Sequence, residues 1–573
     1  MSLLFTDSRW REQNLKLLQN LSKSSAILET SVQPNPLPSV EEAQEMFDSY
    51  LNESHVQNPF LLRRDVQRLY HSVFLADHSA QQATRLLGYD MFRAFMILAI
   101  GSIRMYRTGT HKDHPYGYYL TAMQHLDRNI LLRGINAIQD ILLVARFGIY
   151  HHIGTSIWEL TTVCIGMCIE QGLHKSPRQS SRRKISLLHE QLQRRVFWEC
   201  YMIDRYSSIT LDRPAAIADE DIQVGFPVDA NDEDIDAADS SGTFANLDSF
   251  CQATTTRPTP EANTEISIFL LCLRLRKITS KIQKRFRQKT EHASGVTNQL
   301  LMESITTSGK IYANLDELLS ELEEWRDSAP IFTNPRSLYE TQEWYDLLLI
   351  REKLLLVRKA IDLVPKHSNN IPPQDLISIC LEYSIRIITQ FSAMFERKQV
   401  TYTRSYFQML FTAGLSVMYC ISVVMDNGSG TVVSAAKALQ QGEKTLKEMG
   451  KDLPDALHYV AVYEALRVNV LGKLSITPEQ YQTAAHTGDT RGHDMSGVER
   501  LQQQQQQHPA QSSDNWFLSS NEPLLNDQPL GTSFLPWDSL LGDSTFWDME
   551  TGLGEYAYGD AMLLFSNITE DNE

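Results

Sequence analysis

The sequence predicts an all-α fold: a multi-helix body interrupted by one long acidic loop and followed by a disordered acidic tail. Three observations point there. Apolar residues between Val40 and Lys473 recur at three- and four-residue steps, and strand-like alternation is nearly absent. A Ser/Thr-rich stretch with eight acids and the single base Arg257 divides that region at 229–262. Residues 501–573 then carry twelve Asp or Glu and no Lys or Arg.

Taken in order, residues 1–30 predict one short helix with Trp10, Leu15, Leu18 and Leu21 on its apolar side. Fewer than three heptads are present, short of a coiled coil. Residues 31–39 hold three prolines and read as a linker. Residues 40–228 form a first helical half. There Ile157, Leu160, Cys164 and Met167 step by three, four and three, and Gly172 supplies a C-terminal stop. The acidic 229–262 segment is expected as a surface loop. In the second half, 263–473, Leu347, Ile350, Leu354, Val357 and Ile361 repeat the pattern. Residues 474–513 read as a linker around the glutamine run 502–507.

The chain of 573 residues has room for two to four folded units. At 42% hydrophobic and 21% charged residues, a collagenous, fibrous or mainly disordered chain is excluded. Seven scattered cysteines make no disulfide framework and suit a reducing compartment. No secretory signal is visible. The longest apolar stretch, Met91 to Ile103, is broken by Arg93 and is shorter than the ~20 residues of a membrane helix. An intracellular protein without membrane contact is expected. The net charge is −17, and the tail supplies −12 of it, so residues 1–500 are close to neutral. Proteins that neutralise many phosphates show a basic domain or stripe. DNA is therefore not expected as an unaided partner.

Residues 514–573 interleave acids with Trp516, Phe517, Phe534, Trp537, Leu540, Leu541, Phe546 and Trp547. The acids keep such a segment solvated and leave its aromatics free for a partner groove. Burying each large side chain there contributes roughly 1.5–3 kcal/mol before ordering costs. This is the composition of an activation segment that recruits transcription machinery or co-activator proteins. The alternative is a last pair of helices packed back on the body, with the acids as their solvated face.

Residues 189–227 read HEQLQRRVFWECYMIDRYSSITLDRPAAIADEDIQVGFP. This predicts a helix, a Pro-ended loop and an extended segment. Glu190 and Arg194 lie four apart, as do Arg195 and Glu199, each pair worth ~0.2–0.5 kcal/mol if exposed. Phe197 and Tyr201 share a face, and Trp198 and Met202 form the adjacent row. Arg213 is placed to pair with Asp219 or Asp221 and fix the loop against the helix end. The full set, Arg194, Arg195, Phe197, Trp198, Tyr201, Asp204, Arg205, Arg213, Pro214, Ile217, Asp219, Asp221 and Ile222, closely resembles the middle homology region of fungal zinc-cluster transcription factors. IWELTTVCIGMCIEQGLH at 157–174 is similar to that family's helix ending in Gly-Leu-His, and segments at 37–61, 405–420 and 455–466 resemble its other helices. Asp212 stands where the family commonly has Gly, so the turn there is expected to differ.

The resemblance implies nuclear transcription regulation, with room for a small-molecule effector in the helical body. It also implies a six-cysteine zinc cluster opening with Cys-x-x-Cys, packed into about thirty residues. Here the first cysteine is Cys164. No cofactor is expected within this chain; zinc belongs to a cluster that was lost or lies upstream, and DNA is reached through that module or through a DNA-bound partner.

Other constellations favour architecture. Cys164 and Cys168 could put two ligands on one helix face but suit core packing better. His151-His152 and His111-x-x-His114 lack a metal-spaced companion. The stretch Arg274 to Lys289 has eight bases and no acid around the stripe Leu275, Ile278, Ile282 and Phe286. It reads as a core helix with a solvated basic face; nuclear import or phosphate contact are its rivals. No phosphate-binding lysine loop, Gly-x-Ser-x-Gly or His-Glu-x-x-His occurs, so no catalytic residue is assigned and an enzyme is not expected. A DNA-independent co-regulator or scaffold of the same fold is the alternative to a transcription factor, and a helical enzyme the remote third.

Overall fold

The computed structural model describes residues 32–75, 88–126, 133–176, 185–255, 263–286, 299–366, 371–423, 430–453, 456–474, 553–554 and 557–558. Among these residues there are sixteen α-helices and no strand. The predicted helix at 1–30, the glutamine-run linker and the eight tail aromatics and leucines from Trp516 to Trp547 lie outside the described residues.

Local chemistry sets the helix limits. Helix α1 (Val40–Ser49) starts at a reciprocal cap: the Ser39 hydroxyl accepts from the Glu42 N–H at 3.2 Å, and the Glu42 carboxylate accepts from the Ser39 N–H at 3.1 Å. Then follow α2 (Arg63–Tyr70), α3 (Gly88–Thr108), α4 (Pro115–Gln124), α5 (Ile135–Gly148) and α6 (Ile157–Glu170). Gly172, with φ +73°, lies just past the end of α6, where a side chain would be strained. The 24-residue α7 (Leu187–Thr210) is capped by Ser186, whose hydroxyl accepts from the His189 N–H at 3.2 Å.

The acidic stretch expected as a loop contains two helices, α8 (Asp232–Ser241) and α9 (Leu247–Thr255). Asp232, Glu233 and Asp234 occupy the first turn of α8, where they favour the helix dipole, and Ile235, Leu247 and Phe250 are buried anchors. The acids thus start a helix instead of preventing one.

The remaining helices are α10 (Ser267–Arg285), α11 (Gln299–Asp327), α12 (Gln342–Leu363), α13 (Gln374–Glu396), α14 (Arg404–Val423), α15 (Gly430–Asp452) and α16 (Leu457–Lys473). Buried side chains form two clusters. One gathers α1–α9, the other α11–α16. Helix α10 is the wall between them: Phe269, Leu270 and Leu273 enter the first, while Leu275, Ile278, Ile282 and Phe286 enter the second. Its cations meet acids, with Lys277 3.1 Å from Asp219, Arg285 2.6 Å from Glu317, and Lys281 and Lys284 on Glu321 and Glu220. One described helix, Arg404–Val423, is long and apolar enough to cross a membrane; two thirds of its apolar window is buried in the second core.

Candidate functional site

Helix α7 carries buried polar groups on two sides, and they differ in what they meet. On the side of the sequence motif, ion pairs clamp the extended 213–228 segment. Arg194 bonds Glu190 at 2.7 Å and Asp248 at 2.6 Å, and donates to the Phe226 carbonyl at 3.1 Å. Arg195 meets Asp232 at 2.6 Å. Arg205 pairs with its neighbour Asp204 and donates to the Ile217 carbonyl at 2.6 Å. The Asp204 carboxylate accepts from the Ala216 N–H at 3.0 Å, and the Trp198 indole donates to the Gly225 carbonyl at 2.9 Å.

Asp219 is the hub. It accepts from Tyr201 at 2.8 Å, Ser280 at 2.7 Å, Lys277 at 3.1 Å and Arg205 at 3.3 Å, tying the segment to both α7 and α10. Burial opposes its charge, but the Ser280 hydroxyl, the Arg205 guanidinium, Tyr201 and Lys277 outweigh it and hold its carboxyl at about 2. Phe197, Trp198 and Tyr201 are buried, Ile217 is buried within the segment, and Ile222 packs partly buried on the first core. Pro214 and Asp221 are exposed.

Two expected pairs are corrected. Arg213 does not pair with Asp219 or Asp221; its guanidinium lies over the Trp158 ring at 4.9 Å, and Arg205 takes Asp219. Arg195 does not pair with Glu199, because Asp232, brought in by α8, lies on its side of the helix. The Glu190–Arg194 pair forms, buried where an exposed pair was expected. Asp212 takes φ +49°, so the Asp keeps the left-handed turn that glycine would favour.

The other side of α7 faces the junction of the two cores, where sequence reasoning assigned nothing. An outer cleft of about 300 Å³ opens there, lined by Arg276, Arg351, Arg358 and Lys359 with Asp212 and Asp362. An adjoining inner chamber of about 150 Å³ shares Tyr206, Arg276, Arg351 and Ser405 with it. Buried Glu352 accepts from Arg351 at 2.9 Å and from Thr279 at 3.0 Å. Tyr206 accepts from Arg351 at 3.2 Å, and Arg276 stacks over its ring at 4.4 Å.

Glu199 lines the inner chamber fully buried, and neither carboxyl oxygen has a hydrogen-bond partner in the protein. Burial pushes its carboxyl up to about 7, with Arg146 pulling the other way. The buried Nε of Arg146 and the hydroxyl of Tyr50 are likewise unpartnered. The one sequence signal for this was an acid among the aromatic rows of a core helix.

Four tail residues complete the junction. Leu553 joins the second core, while Ala557 and Tyr558 join the first. The Ser156 hydroxyl donates to the Tyr558 carbonyl at 3.0 Å, and the Tyr558 ring meets Tyr206 edge-on at 5.2 Å while lining the inner chamber. Gly554 lies so close to the Thr210 carbonyl that a Cβ would sit 2.7 Å from its oxygen. At these positions the tail packs back on the body.

Residues 47–327 match the fungal specific transcription factor domain. The chain carries that domain over just under half of its length. The match covers the first core, wall helix α10 and α11, with the motif at its centre. Over 66% of this chain it is 21% identical to Protein STB5 of Saccharomyces cerevisiae, covering 48% of that protein. Over 70% of this chain it is 19% identical to the positive regulator of purine utilization of Emericella nidulans, covering 44% of it. A stretch of 82 residues, 13% of this chain and 8% of the relative, is 32% identical to the Zn(2)-C6 fungal-type transcription factor FTF1a of Fusarium oxysporum. The chain thus spans about half or less of the length of these relatives, and no solved structure matches it.

The cysteines described do not fit that family's zinc cluster. Cys164, Cys168 and Cys200 are buried together in the first core with the Cys168 and Cys200 sulfurs 3.9 Å apart, and burial pushes the Cys200 thiol up, away from the thiolate a metal needs. No group of three or more His, Cys, Asp or Glu is placed to hold a metal among the described residues.

Proposed function

We propose that the chain is a nuclear fungal transcriptional regulator in which a helical body governs an acidic-aromatic activating tail. The observation that carries this is the transcription factor domain at 47–327; the tail's composition adds the output. Recruitment runs through Phe534, Trp537, Leu540, Leu541, Phe546 and Trp547 of the tail, which engage co-activator or transcription-machinery proteins. DNA is reached through a zinc-cluster module outside residues 1–573 or through a DNA-bound partner, since Lys277, Lys281, Lys284 and Arg285 of α10 are paired with acids of the body. The body binds and does not transform its ligands.

Fusing residues 514–573 to an unrelated DNA-binding domain should activate a reporter. Replacing Trp537, Phe546 and Trp547 with Ala should abolish that activity; a triple variant as active as the parent would defeat the role given to the aromatics. Purified 1–573 should show no salt-sensitive binding to DNA.

A further inference from the structure

We propose that the inner chamber is a binding site for a small planar molecule that presents a hydrogen-bond donor to Glu199 and an acceptor to Arg146, with Tyr558 of the tail as its lid. The chamber has the size for this: a cavity of about 150 Å³ is large enough to take a single aromatic ring. Its walls are the rings of Tyr150, Tyr206, Tyr339, Trp344 and Tyr406, which offer flat faces. Its polar end is Glu199, fully buried with both oxygens unpartnered, beside Arg146, whose buried Nε is unpartnered too. Buried polar groups are ordinarily hydrogen-bonded, so such an acceptor and donor lining one chamber define what an occupant must supply. One ring with N–H and C=O on adjacent atoms satisfies both.

The remaining wall is the tail. Tyr558 reaches the chamber against Tyr206 and is anchored by Ser156, so an occupant and the tail share a surface. The ligand site stands on the cavity alone. Its consequence for gene expression rests on the regulator reading above.

The probe is 2-pyridone, which carries that adjacent donor and acceptor, against N-methyl-2-pyridone, which lacks the donor. Ligand-observed NMR on the full chain should show 2-pyridone binding at least tenfold tighter than its methylated form. Glu199→Met should erase the preference, and Glu199→Leu is the substitute if the Met variant does not fold. Bound 2-pyridone should also slow amide exchange at Ala557 and Tyr558. No binding of either compound, or equal binding of both to the parent chain, would overturn the site; a preference that survives in the Glu199 variant would overturn the role of Glu199. Unchanged exchange at Tyr558 would overturn the lid. A silent reporter from the 514–573 fusion would instead sink the regulator reading and leave the binding result intact.

Discussion

The two sides of α7 bury comparable polar chemistry to opposite ends. On the motif side, Asp219 accepts four hydrogen bonds and is held far below the usual carboxylate range. Across the helix, Glu199 accepts none and is pushed up to about 7. Sequence distance does not separate them: Glu199 lies two residues from Phe197 and Tyr201 of the motif. The difference is what faces each one. A carboxylate met by an arginine, a lysine and two hydroxyls is architecture; one that lines a chamber without a partner is a place for something else.

The largest change should come from breaking the motif side. Arg205→Met leaves Asp204, itself fully buried, without its guanidinium and should lose about 3–5 kcal/mol in chemical denaturation. The chamber side should respond with the opposite sign. Glu199 has its folded carboxyl raised above the ordinary 4.5 to about 7, so the folded chain holds the proton longer and loses stability as pH rises between those values. Glu199→Gln removes that loss and should be more stable than the parent at pH 8 by about 3 kcal/mol, with the gain vanishing near pH 4. Equal gains at both pH values would contradict the unpaired carboxylate.

Asp219 supplies a smaller, contrary dependence. Its folded carboxyl is depressed from 3.8 to about 2, so its stabilisation is present above 3.8 and disappears as pH falls through 2. Asp219→Asn should therefore cost about 2 kcal/mol at pH 7 and little at pH 2. Least of all should come from the exposed cations of α10: Lys284→Ala removes a fully solvated pair with Glu220 and should leave the denaturation midpoint unchanged.

Much of this architecture was legible in the sequence. The step pattern of Ile157 to Met167, the stop at Gly172 and the stripe of α10 report local periodicity, and each appears in the fold. The pairings were less legible because they depend on elements far along the chain. Asp232 displaces Glu199 as the partner of Arg195 only once α8 packs on α7, and it is Arg205, fourteen residues away on α7, that takes Asp219. Composition made 229–262 look like a loop, yet its acids fall where a helix start favours them. The chamber was invisible for the same reason: its walls come from helices more than two hundred residues apart, as Glu199 and Tyr406 show. Tail contacts at Leu553 and Tyr558 were foreseeable only as the alternative of packing back on the body.

The central claim is that the body holds its own tail at the junction of the two cores. It is tested most directly by fusing the full chain to an unrelated DNA-binding domain and comparing it with Gly554→Val. A side chain there must collide with the Thr210 carbonyl, so the tail should leave its seat. The account predicts a higher reporter output from the variant at equal protein level. Equal output from the two chains would contradict it.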